Sequence, residues 1–284
     1  AGVSEAYTWL GGTGIIRPKD ALPEAREAAL RALELDGTLA EAHFQMGQFA
    51  WTLDLDWSEA ERHFLRALEL NPGLPQLHSL YGFFLGSLGR FEASLAELRR
   101  GIELDPLSQV AHIWLGQVQA WLRQFPDSID RLRTALELDP TSWNANHNLG
   151  MALRLNSAHE EAIETLKKAM ALAGRHPWSL MELALASLAV GDRSQAEAIY
   201  DELLARWRSE YVPPTNIAFL CAALGRIDEA FDWLERGIEE QDTLMTWMAI
   251  LPHYDPLRGD PRFHDLVARM GLGGVDSRKE PPSE

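Results

Sequence analysis

Apolar residues return along the chain every three or four positions, the period of an α-helix and not the alternation of a strand. Phe64, Leu98, Leu132, Leu166, Tyr200 and Leu234 mark the inward positions of one set of helices, and Leu115 and Leu149 those of another. The pattern is itself repeated. The strings Ala32–Asp36, Ala67–Asn71, Gly101–Asp105 and Ala135–Asp139 begin 35, 34 and 34 residues apart. Pro72, Pro106 and Pro140 follow three of them, and Gly37 takes that place after the first. A proline there ends one helix and opens the turn to the next.

Small residues complete the unit. Gly47, Gly82, Gly116, Gly150, Ala184 and Ala218 fall in a first helix, and Ala60, Ser94, Ser128, Ala162, Ala196 and Ala230 in a second. Two helices approach closely only where side chains are this small. Gly89, Gly191 and Gly225 stand between the two sets and supply the left-handed backbone that ends a helix. Each unit therefore reads as helix, turn, helix. One such pair cannot bury its own apolar faces, so neighbours must stack into a solenoid.

Small residues at the eighth, twentieth and twenty-seventh positions, an aromatic or Leu at the twenty-fourth and Pro at the thirty-second resemble the tetratricopeptide repeat. The resemblance implies an all-α fold, a right-handed superhelical solenoid of stacked antiparallel helix pairs. Repeats are expected at 1–37, 40–73, 75–108, 109–142, 143–176, 177–210 and 211–240. The second carries an extra residue around Asp54–Trp57, and the fifth has Gly174 in place of the proline. Against the family register the first unit starts part-way into its opening helix, with Tyr7 and Gly11 where the eleventh and fifteenth residues belong, which leads to the expectation that the segment is cut from a longer chain. The stretch from Tyr211 through Tyr254–Phe263 to Met270 resembles the C-terminal ends of repeat regions in bacterial multidomain regulators. The array is thus expected over 1–240, capping helices at 243–250 and 261–270 within 241–272, and a disordered Pro-rich tail over 273–284.

Composition narrows the function. Hydrophobic residues at 46% and charged residues at 24% suit a packed core. A formal charge of −16 repels phosphate backbones and anionic membranes, so neither nucleic acid nor membrane is expected as a partner. No stretch is apolar enough for a membrane span and no basic-then-apolar leader opens the sequence. A cytoplasmic location is expected, or a periplasmic one should an anchor lie upstream. Cys221, the sole cysteine, excludes an intramolecular disulfide or a thiolate cluster.

The resemblance implies that first helices line a concave groove through positions two, five, nine, twelve and thirteen of each repeat. The residues there are Phe44, Gln48 and Trp51; Ser79 and Phe83; Ile113, Gln117 and Trp121; Asn144, His147, Met151 and Arg154; Trp178, Met181 and Leu185; and Thr215 and Phe219. This apolar, aromatic wall suits an apolar peptide or amphipathic helix. No lysine falls at the groove positions, so the carboxylate clamp of chaperone-binding family members is not expected. Packing between neighbouring helices or against the array's own end explains the same aromatics and stands beside the groove reading.

Other candidates read as structural. His43, His78 and His112 share the fourth position of three successive repeats, where helix spacing of about 8–10 Å is too wide for one zinc with ligands at about 2 Å. Hydrogen-bonding roles are expected for them. Gly11-Gly-Thr-Gly14 lacks the strand and Lys of a phosphate loop, and His159-Glu-Glu-Ala162 lacks the second His of a zinc protease helix. Asp54 and Asp56 are expected in a solvated turn, and Cys221 in the core. With no nucleophile, base and orienting residue in register, neither enzyme activity nor a cofactor is expected. The function implied is a protein-interaction module of a larger bacterial regulatory protein. A spacer or self-association platform, with a homodimer as its product, is the alternative.

Overall fold

The structure is a computed structural model and describes residues 18–275. All regular elements among them are helical. Helix α1 (Pro18–Leu35) precedes six pairs: α2 (Ala40–Phe49) with α3 (Trp57–Leu70), α4 (Pro75–Ser87) with α5 (Phe91–Leu104), α6 (Gln109–Trp121) with α7 (Phe125–Leu138), α8 (Trp143–Leu155) with α9 (His159–Ala173), α10 (Pro177–Ala189) with α11 (Arg193–Trp207), and α12 (Pro214–Ala223) with α13 (Ile227–Glu239). Each first helix packs on its own second helix, and from α4 to α12 successive first helices also pack on one another. The opening stretch with Gly11-Gly-Thr-Gly14 and the tail beyond Val275 lie outside the described residues.

Sequence sets each boundary locally. Pro75, Pro177 and Pro214 occupy the first turn of α4, α10 and α12, where a missing N–H costs no helical hydrogen bond. Ser108, Ser142, Asp56 and Asp192 accept backbone N–H groups at the starts of α6, α8, α3 and α11. The extra residue of the second repeat is absorbed as a π-helical turn over Ala50–Asp54, closed by Leu55 at φ 52°. Gly89, Gly191 and Gly225 end α4, α10 and α12 at positive φ, and Arg123 and Ser157 hold the equivalent conformation after α6 and α8.

The small residues of the eighth position set the spacing within a pair. A Cβ built on Gly82, Gly116 or Gly150 would stand 2.8, 2.8 and 2.5 Å from the Cγ of Leu98, Leu132 and Leu166. Ser94 and Ser128 donate across the same contact to the carbonyls of Gly82 and Gly116 at 2.6 and 2.7 Å. The twentieth position is thereby small and satisfied at once.

The histidine column locks the turns between repeats. His43, His78 and His112 each reach the carbonyl six residues earlier through Nε2, those of Gly37, Pro72 and Pro106, at 3.2, 3.0 and 3.1 Å. Nδ1 faces the neighbouring second helix and meets His63, the Glu97 carboxylate and the Arg131 guanidinium.

After α13 the chain departs from the expected cap. Residues 243–250 do not form a helix over the end of the stack. Two 3-10 turns, Thr243–Trp247 and Pro252–Leu257, carry the chain along the inner side of the array, and α14 (Pro261–Arg269) then returns to pack on α13. Pro252 and Pro256, which interrupt any longer α-helix, account for the short turns. We call Thr243–Leu257 the strap. Its apolar residues join those of the repeats in one continuous core.

Candidate binding surface

The inner side of the array is built by the first helices, and the strap touches every one of them or the turn that continues it. Trp247 sits in an aromatic seat formed by Trp51 at the end of the first pair's leading helix, Phe83 of α4 and Trp121 of α6, with ring centroids 6.5, 5.5 and 5.8 Å away. Trp114 stacks behind Phe83 at 5.4 Å. Offset and edge-on aromatic contacts of this kind contribute about 0.5–1.5 kcal/mol each beyond their buried area.

Six residues along the strap a polar anchor follows. Arg154 of α8 donates through Nε to Glu182 of α10 at 2.7 Å, and His253 approaches the other carboxylate oxygen through Nε2 at 2.5 Å. Glu182 and His253 side chains are only 1% and 2% exposed, and Arg154 14%. Burial alone would raise the Glu182 carboxyl, yet the Arg154 and His253 charges and hydrogen bonds hold it well below the usual carboxylate range. His253 Nε2 lies between that carboxylate oxygen and Arg154 Nη2, the latter at 2.9 Å, and Nδ1 is left buried with no hydrogen-bond partner. The His253 ring also stacks on Phe219 of α12 at 5.0 Å.

The two ends of the strap are pinned separately. Asp242 is buried where the strap begins and accepts from Thr215 N, Thr215 Oγ1 and Leu244 N at 2.9, 2.6 and 3.1 Å. Burial pushes its carboxyl up, and the three hydrogen bonds oppose that. Near the other end, Asp255 meets Arg123 at 2.6 Å in a half-exposed pair worth at most about 1 kcal/mol. Gln241 donates to the Leu53 carbonyl and Trp57 Nε1 to that of Met270, so the second repeat meets the closing segment of the chain.

This geometry disposes of the expected groove residues in two groups. Trp51, Phe83, Ile113, Trp121, His147, Met151, Met181 and Phe219 are buried, and Phe44, Gln48, Gln117, Arg154 and Trp178 keep partial exposure. The structure does gather aromatic side chains of successive repeats on one wall, but an open wall is not what it presents, because the strap fills it. Ser79 and Thr215 are likewise buried, and Leu185 is partly so. Sequence reasoning missed Trp247, His253 and Glu182. Glu182 was visible as the only charge in the apolar helix Pro177–Ala189, where a carboxylate needs a buried partner, and the strap as a run too apolar for a cap with one face in water.

The remaining candidates have structural places. Asp56 caps α3 and Asp54 pairs with Arg26 at 2.9 Å. Cys221 is fully buried in α12, and burial pushes its thiol up to about 12, far from a thiolate. His147 is buried beside Ser179, and burial drives it down to about 4. Among the described residues no helix is long and apolar enough to cross a membrane.

Comparison with known proteins finds the repeat as well. Residues 132–164, which run from within α7 through α8 into α9, match the family model of the tetratricopeptide repeat. That segment is a tetratricopeptide repeat, and the array around it has the fold of stacked tetratricopeptide repeats. Solved structures of the same fold include PilW, a widely conserved type IV pilus biogenesis factor, at 21% identity over 74% of this chain and 96% of PilW, with a TM-score of 0.57. PilF of Pseudomonas aeruginosa is 18% identical over 74% of this chain and 94% of its own, with a TM-score of 0.53. The tetratricopeptide protein TTC0263 of Thermus thermophilus is 22% identical over 71% and 99%, with a TM-score of 0.50. At such identities the likeness is one of fold. No curated protein matches the sequence.

Proposed function

We propose that this tetratricopeptide array is a protein-interaction module whose concave face takes an apolar peptide or helix from a partner. One observation carries the reading: that face holds an apolar segment whose Trp247 fills an aromatic seat, supplied by the chain's own strap. The aromatic seat and the Glu182–Arg154 pair are the two features such a segment meets. The resemblance of the closing stretch to repeat regions of bacterial multidomain regulators supports a regulatory setting for the binding.

The test needs positions that accept a charge without unfolding the array. Trp121 and Met151 are unsuitable, because a Glu buried in either place destabilises the fold itself. Gln48 and Gln117 are partly exposed on the expected wall. Capture of a partner from the source cells by the immobilised chain is expected to fall at least about tenfold with Gln48→Glu and Gln117→Glu together, at unchanged helical circular dichroism. Undiminished capture would move the contact off the concave face.

A second reading has its own support. The Trp57–Met270 and Gln241–Leu53 contacts tie the second repeat to the closing segment, as a rigid spacer would. Light scattering over a range of concentrations, with no partner present, separates self-association from partner binding.

A further inference from the structure

The strap is bracketed by two elements that hold each other. Ahead of it, α13 ends at Glu239 and the chain turns through Gln241 at φ 54°. Behind it, α14 is fastened to α13 by Arg262 on Asp228 and Arg269 on Glu235, at 2.9 and 2.6 Å, with the Arg262 guanidinium 4.1 Å above the Phe231 ring. Thr243–Leu257 thus spans between two fixed feet, one at the C-terminal end of α13 and one where Arg262 meets Asp228 at its N-terminal end, roughly 17 Å apart at 1.5 Å rise per residue. The contacts that hold α14 on α13 do not involve the strap.

Its fit on that face is also incomplete. The aromatic seat is filled, yet the indole N–H groups of Trp51 and Trp247 are buried with no acceptor, as is His253 Nδ1 with no partner. Buried polar atoms without partners weigh against the seated state. The strap is built of 3-10 turns, whose hydrogen bonds are poorer than those of an α-helix. Below the strap, Glu182 keeps Arg154 whether or not His253 is present, so the face vacated is not left with a lone buried charge.

We infer that Thr243–Leu257 is an internal ligand of the concave face: it occupies in cis the surface that an apolar segment of a protein partner takes in trans. The inference rests on the reading of that face given under the proposed function and adds how access to it is governed. The segment that fits carries an aromatic side chain for the Trp51–Phe83–Trp121 seat, a hydrogen-bond donor about six residues further on for Glu182, and an acceptor for the Trp51 indole. A tethered segment competes at an effective concentration of order millimolar, so the intact chain binds such a partner more weakly than the bare face would.

Two measurements test this. In the intact wild-type chain, hydrogen exchange of residues 243–257 is expected to proceed through local opening, at least about tenfold faster than in α4, α6 and α8. Exchange of the strap in step with those helices would overturn the proposal. In the second, a fluorescein-labelled peptide of residues 241–260 is titrated into the wild type and into the full chain carrying Trp247→Ser and His253→Gln. The weakened strap is expected to raise peptide affinity at least about tenfold, and equal measurable affinities would overturn the proposal. A folded variant that binds no peptide at all would instead sink the underlying reading of the face as a segment-binding surface.

Discussion

At Gly82 a Cβ would meet Leu98 Cγ at 2.8 Å and the backbone atoms Leu98 N and Ser94 O at 2.9 Å each. Backbone cannot swing aside as a side-chain end can, so the helices of the pair must part. Gly82→Ala is expected to destabilise the chain by about 1–3 kcal/mol in urea unfolding, whereas Gly73→Ala, with 3.9 Å to its nearest neighbour, serves as the neutral control. Ser157 presents the converse case. It holds φ 63° at the turn where three other repeats use glycine, and its side chain is exposed. Ser157→Gly relieves that conformation and is expected to stabilise by about 1 kcal/mol, read as a shift of the urea midpoint at constant slope. Gly82 was legible in the sequence, because sterics at a repeated place leave a repeated residue, whereas Ser157 departs from the glycine of the other turns and shows its conformation only in the fold. The histidine column was legible only in part. Its spacing marked it, but the carbonyl six residues back that each ring reaches is a property of the folded turn.

Among the elements, the strap is the one that period and register did not foretell. Helix pairs are local objects, and their Gly and Pro punctuation lies next to the residues it controls. The strap's position is set by contacts between residues far apart in sequence, such as Trp247 with Trp51 and His253 with Glu182. Its turns, at Pro252 and Pro256, carry no period to read. The polar groups under it give a measurable pH dependence. His147 is surrounded by Glu182, His176, His253 and Arg154, and burial lowers it from 6.5 to about 4. Between those pH values the unfolded chain binds a proton that the folded chain refuses, so stability falls as pH drops from 6.5 toward 4. His63, lowered chiefly by burial, acts with the same sign. Glu182, held down by its partners, adds a loss only below its ordinary 4.5, while Asp242, raised by burial, offsets part of that above its ordinary 3.8. From pH 7 to 5 the His147 contribution comes to about 2 kcal/mol. In His147→Gln the loss of stability over that interval is expected to shrink by about this amount in urea titrations, and an unchanged loss would mean that the imidazole is not refusing its proton.

At the scale of the whole molecule, the solenoid and the choice of one wall as aromatic followed from a register that Gly, Pro and Leu positions define together. What the register could not state is whether the wall is open. Aromatic side chains at the concave positions have the same sequence pattern whether they await a partner or pack under a strap, because either occupant rewards buried aromatic area. In the structure the wall is filled by the strap, which runs between feet at the two ends of α13. The most direct measurement follows the strap itself in hydrogen exchange, with and without a bound partner recovered from the source cells. The account predicts faster exchange over residues 243–257 and slower exchange in α4, α6 and α8 when the partner is bound; unchanged protection of the strap in that complex would contradict it.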